Sequence, residues 1–137
     1  MKNYLIMILA FALLAGCKDS TKQEKDLLND ILKVHDKVMG SDEKLMKNKM
    51  HLDSLLKLPA KDTAEKVNLK AIDTKVLAAG EAMETWMNNF KPDMTGKSHD
   101  EVMSYYKDQK KLIMSVDSQI NAAIAESNQY LSNKKIK

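Results

Sequence analysis

From residue 24 onward, apolar side chains return every three or four positions, the spacing that gathers them on one face of an α-helix. Leu27, Ile31, Val34, Val38, Leu45, Leu52 and Leu55 form one row. Leu28, Leu32, His35, Met39, Met46 and Met50 form a second beside it. Two adjacent rows make a wide stripe, suited to packing against two partner helices. Gly40-Ser41 is the weak point, but the pattern resumes in phase beyond it, so one helix is expected over 24–57. Leu58-Pro59 ends it, because the residue before a proline is pushed out of the helical region.

Asp62-Thr63-Ala64-Glu65 reads as a capping box opening a second helix over 63–90. Its apolar stripe is Leu69, Ile72, Val76, Ala79, Met83, Trp86 and Phe90. The steps alternate between three and four, a heptad pattern that also suits self-association. Lys91-Pro92 stops this helix. Ser98-His99-Asp100-Glu101 is a second capping box, and a third helix over 99–132 carries Val102, Tyr106, Gln109, Ile113, Val116, Ile120, Ala123 and Tyr130. Residues 133–137 form a basic tail, a charge that suits a helix C-terminus. Three long helices on short loops predict an all-α fold, an up-down-up antiparallel three-helix bundle.

The bundle assigns heights. At ~1.5 Å per residue, counting outward from the two turns places His35, Trp86 and residues 102–106 on one level. One layer is therefore expected to gather His35, Met39, Met83, Trp86, Met87, Phe90 and Tyr105 or Tyr106. It is the aromatic-rich part of a chain otherwise poor in rings.

Ahead of the bundle stands a different pattern. Met1-Lys2-Asn3 is a short positive start, and residues 4–14 are apolar. That run is too short to span a bilayer, which takes ~20 apolar residues, and it has the form of a secretory signal. It ends in Leu14-Ala15-Gly16-Cys17, a lipobox. Residues 1–16 are expected to be removed and Cys17 lipidated, with residues 17–23 as a polar tether to the membrane. Each buried lipid methylene contributes ~0.8 kcal/mol to such an anchor.

Composition narrows the rest. A chain of 137 residues holds one domain. Its formal charge is +3, and removing residues 1–16 takes away only Lys2 among charged groups, leaving +2. Every basic residue is lysine, so the bidentate fork that reads phosphates and bases is missing. A nucleic-acid partner is not expected. Cys17 is the lone cysteine, which excludes an intrachain disulfide or a cysteine-zinc knuckle.

Candidate chemistry is sparse. His35 and His51 are 16 positions apart, ~24 Å along one helix, too far to share an ion. His35-Met39 and Met83-Met87 are i, i+4 pairs that suit a soft metal such as Cu(I). Methionines at helical spacing also serve as plain core filler. No serine sits in a GxSxG setting, no glycine-rich loop cradles phosphate, and His35 and Asp36 are neighbours expected to point apart on a helix. Neither an enzyme nor a cofactor is expected.

The blocks His35-Asp36-Lys37-Val38-Met39 and Met83-Glu84-Thr85-Trp86-Met87-Asn88-Asn89-Phe90, with Tyr106 and Gln109-Lys110-Lys111, resemble a group of small Bacteroidetes envelope lipoproteins often labelled "viral A-type inclusion protein". The resemblance covers most of the chain after Cys17. It implies an envelope lipoprotein and carries no activity. Gly40 stands where the resemblance leads one to expect proline. Surface export in such bacteria resembles a signal of several acids after the cysteine. Asp19 alone fits, which points to a periplasm-facing protein, and Lys18 rather than aspartate directly after the cysteine is compatible with the outer membrane. The expected role is structural, or interaction with an envelope protein. The alternative is binding of a soft metal or small apolar ligand at the His35–Trp86 layer.

Overall fold

The computed structural model describes the backbone of residues 2–59 and 62–135 and the side chains of residues 19–59 and 62–134. Three helices, α1 (Lys2–Leu56), α2 (Thr63–Asn89) and α3 (His99–Lys135), pack together, each touching the other two. No strand occurs among the described residues. The fold is an all-α three-helix bundle. The side chains of the expected signal, of Cys17 and of the end of the basic tail lie outside the described residues.

The capping signals act where expected. At the start of α2, Asp62 accepts a hydrogen bond from the Glu65 N–H at 2.7 Å. At the start of α3 the box is reciprocal. The Ser98 N–H donates to Glu101 Oε2 at 2.9 Å, and the Glu101 N–H donates to Ser98 Oγ at 3.4 Å. In the first box Glu65 does not turn back on its own cap, because its carboxylate pairs with Lys134 from α3.

Two boundaries differ from the sequence expectation. Residues 17–23 are helical and continuous with α1, so the helix does not begin at residue 24 after a tether. The segment holds no proline or glycine after Gly16, and Gln23 Nε2 reaches back one turn to Asp19 Oδ2 at 3.4 Å. At the other end α3 continues to Lys135, through part of the segment expected as a tail. Gly40 does not interrupt α1.

Ion pairs and rings fix the topology. From α1 to α3, Glu24 meets His99, Asp30 meets Lys110 and Lys37 meets Asp117, each at 2.7 Å. Both chains advance together, so α1 and α3 are parallel. Helix α2 runs the other way: His35 lies on Trp86, while Lys49, further along α1, meets Asp73, earlier on α2, at 3.2 Å. Phe90 faces Tyr105 and Lys75 bonds Glu126, so α2 is antiparallel to α3 as well.

The core follows the first apolar row. Ile31, Val38, Leu45, Leu52, Ile113 and Ile120 are almost fully buried, each side chain stabilising by about 1.5–3 kcal/mol. The α2 stripe is buried from Leu69 through Trp86. The second row of α1 corrects the expectation. Leu32, Met39, Met46 and Met50 are 39, 41, 52 and 67% exposed. Three helices offer one central seam, and the first row fills it. Met39 and Met46 of the second row are left at the open margin between α1 and α2.

Gly40 is exposed, and a Cβ there would meet nothing within 4 Å. Gly40→Ala is expected to stabilise the bundle by about 0.5–1 kcal/mol through helix propensity alone. A rise in denaturation midpoint at constant m-value checks this.

Candidate functional site

The expected layer forms, and it divides in two. One part is a run of rings. His35 lies 5.8 Å from Trp86, Trp86 stacks on Phe90 at 4.7 Å, Phe90 on Tyr105 at 6.3 Å, and Tyr105 tilts against Tyr106 at 5.8 Å. Each contact lies within the range of favourable ring pairs. The indole N–H of Trp86 is buried without an acceptor.

This run braces the α2–α3 turn. Phe90 leaves the helix in extended geometry, with its N–H on Trp86 O at 2.9 Å. The Lys91 N–H then donates to Tyr105 Oη at 2.7 Å, and Tyr106 Oη donates to Pro92 O at 2.9 Å. Asp93 accepts from the Thr95 N–H and hydroxyl, which holds its carboxyl below the usual range. The Lys97 N–H closes the turn on Met94 O, and Gly96 supplies the φ of 81° that a side chain would resist. Burial pushes the Tyr106 phenol upward, so it stays a protonated donor.

The other part is a groove of about 690 Å³ between α1 and α2. Met83 forms its buried floor, with Met39 and Met87 each 41% exposed on its walls. Met46 and Leu77 extend it, and Gly80 leaves the middle open. Asp42, Glu81 and Glu84 edge the groove and make no hydrogen bond or ion pair among the described residues. Lys49 is its single cation, tied to Asp53 and Asp73. The Asp53 hydrogen bond, then Asp73, outweigh burial and raise its pKa. The groove is therefore apolar with net negative edges.

One local expectation is overturned. His35 and Asp36 do meet: Nδ1 lies 3.0 Å from Asp36 Oδ1. The exposed carboxylate reaches Nδ1 while the ring lies tilted beside Trp86. The heptad stripe of α2 is buried inside the bundle from Leu69 through Trp86, and the large apolar side chains α2 turns outward are Val67, Leu77 and Met87.

One cluster was not anticipated. Asn48 and Ser127 are buried, 6 and 0% exposed. Asn48 Nδ2 donates to Ser127 Oγ at 2.8 Å and to Asn128 Oδ1 at 2.9 Å. Ser127 Oγ also lies 2.7 Å from Ala123 O, one turn back. The sequence held a sign of it. The α1 row steps seven residues from Leu45 to Leu52, and the α3 row seven from Ala123 to Tyr130. Asn48 and Ser127 occupy the missing steps.

Among the described residues no helix is long and apolar enough to cross a membrane, and no three His, Cys, Asp or Glu side chains converge as a metal site. Fold and site define a three-helix bundle with an aromatic brace at one end and a methionine groove on one flank. No family model, curated protein or solved structure matches the chain.

Tyr106→Phe removes the bond to Pro92 while keeping the ring. It is expected to cost about 1 kcal/mol and to raise amide exchange in residues 91–97 more than in α1. Uniform exchange changes would count against the brace.

Proposed function

We propose that this chain is a lipid-anchored cell-envelope protein whose bundle receives a helix of a partner protein in the α1–α2 groove. The observation that carries the reading is the groove itself. It is a half-exposed row of methionine and leucine edged by three unpaired carboxylates. Methionine adapts its shape to varied apolar partners. Acidic edges select a helix with lysine or arginine beside its apolar face. Anchoring rests on Leu14-Ala15-Gly16-Cys17 after a short apolar run, and the resemblance to small Bacteroidetes envelope lipoproteins supports the same placement, at the periplasmic face of the outer membrane.

Two measurements test it. Cys17→Ala is expected to move the protein from the membrane fraction to the soluble fraction; continued membrane association refutes the anchor. A photo-crosslinker at Leu77 in native membranes is expected to capture one partner, and Glu81→Lys with Glu84→Lys to abolish the adduct. A crosslink to a second copy would identify self-association. Equal capture from Lys70, on the exposed side of α2, would remove the groove from the account.

A second reading has its own observation: Met39, Met83 and Met87 line one groove beside the His35–Trp86 ring pair. Thioethers and imidazole suit Cu(I). Cu(I) bound there is expected to quench Trp86 fluorescence at a one-to-one ratio, with Met39→Leu and Met87→Leu together raising Kd at least tenfold. An unchanged emission spectrum eliminates this reading.

A further inference from the structure

A second groove, of about 630 Å³, lies between α1 and α3 at the end of the bundle remote from the aromatic brace. Its volume is within the ~300–1,000 Å³ typical of small-ligand sites. None of the sequence patterns pointed to it, because its walls come from residues about 80 positions apart.

Its lining is polarised. Lys44 and Lys47 stand at one end with His51, and no acidic residue lines the groove. These three side chains make no ion pair or hydrogen bond among the described residues. Lys37, Lys75 and Lys110, elsewhere on the bundle, each reach a carboxylate of another helix. Lys134, also on the wall, is already paired with Glu65. Within the groove, the unpaired positive charge therefore lies at Lys44 and Lys47.

Asn48 supplies the polar wall. Its Nδ2 is committed to Ser127 and Asn128, while its Oδ1 has no partner among the described residues and is not sealed from solvent. Asn128 accepts through Oδ1, leaving its own N–H donors open to the groove. Beyond this pair the lining turns apolar at Leu55, Leu58 and Leu131. Leu58 is 59% exposed although it is a large apolar side chain. Leu55 and Leu58 also border an adjoining recess of about 170 Å³ under Tyr130, whose buried hydroxyl has no partner.

We propose that this groove binds an anionic amphiphile, with its acidic head between Lys44, Lys47 and the Asn128 amide and its alkyl chain along Leu55, Leu58 and Leu131. The cations offset the head's charge. The amide donors orient it, and each methylene of the chain buried against the leucines strengthens binding. A neutral alcohol would leave both lysines without a counter-charge. A cation would meet like charge with no carboxylate to offset it. Free fatty acid and an anionic phospholipid share this chemistry.

The test follows side-chain amide resonances of Asn48 and Asn128 in the full chain. Dodecanoate, below its micellar concentration, is expected to shift both saturably. Dodecanol should bind at least tenfold more weakly. Lys44→Glu with Lys47→Glu should raise the dodecanoate Kd at least tenfold while backbone resonances of the Ile31–Ile113 core stay in place, since neither lysine holds an ion pair. Phosphatidylglycerol vesicles are the second arm. Shifts with vesicles alone, lost in the same double variant, support the site with a bilayer lipid as its ligand. Shifts with free dodecanoate support a diffusible one. Equal affinity for dodecanol, binding unaffected by the double variant, or no shift with either probe overturns the proposal.

Discussion

One buried amide fixes how the longest helices lie against each other. Asn48 sits where a continuous apolar row would have placed another leucine, and it has two polar partners on α3, Ser127 and Asn128. Sliding α3 by one turn would strand that amide in an apolar seam, at a cost of about 1–3 kcal/mol for the unmet donor. A leucine there would pack in several registers with little preference. The Asp30–Lys110 and Lys37–Asp117 pairs, each 80 positions apart like Asn48 and Asn128, repeat the same offset along the seam. Being more exposed, they add less. The parallel α1–α3 pair is thus set by a polar interaction inside an apolar core, and α2 fills the remaining side.

Both flanking grooves follow from that arrangement. Three helices make one central seam and three outer margins. The α1–α3 margin is closed along its lower part by ion pairs, then opens into the groove from Lys44 onward, where no acidic residue lines the walls. The α1–α2 margin holds Met39 and Met46 of the second apolar row of α1, both substantially exposed. A fourth helix would bury Met39, Met46, Leu77 and Met87 in the way the first row is buried. The two margins carry opposite charge, so a ligand suited to one is rejected by the other.

The aromatic run has a different role. Trp86, Phe90, Tyr105 and Tyr106 hold the α2–α3 turn through ring contacts and two hydroxyl bonds to the loop backbone. The rings gathered at one level are therefore fully accounted for by packing. The methionines beside them, half exposed, are the part of that layer open to another molecule.

By itself the sequence determined most of what depends on local spacing, the start of α1 and the His35–Asp36 contact aside. The 3.6-residue period of Ile31 through Leu52, the alternating steps of Leu69 through Phe90, Pro59 and Pro92, and the two capping boxes define three helices and their turns. Helix lengths counted from those turns brought His35 to Trp86 and Phe90 to Tyr105. Leu14-Ala15-Gly16-Cys17 is likewise a contiguous motif, and the lipid anchor proposed from it rests on the sequence alone. Tertiary structure decided which apolar rows are covered, since Met39 and Met46 have a core pattern but face an open margin. It decided that Asn48 meets Ser127, since periodicity records a gap in each row and not what fills it. It also decided where charge is left unbalanced. Lys44 looks like any surface lysine along the chain, and only the packing of α3 shows that it lines a groove with no acidic residue in its walls.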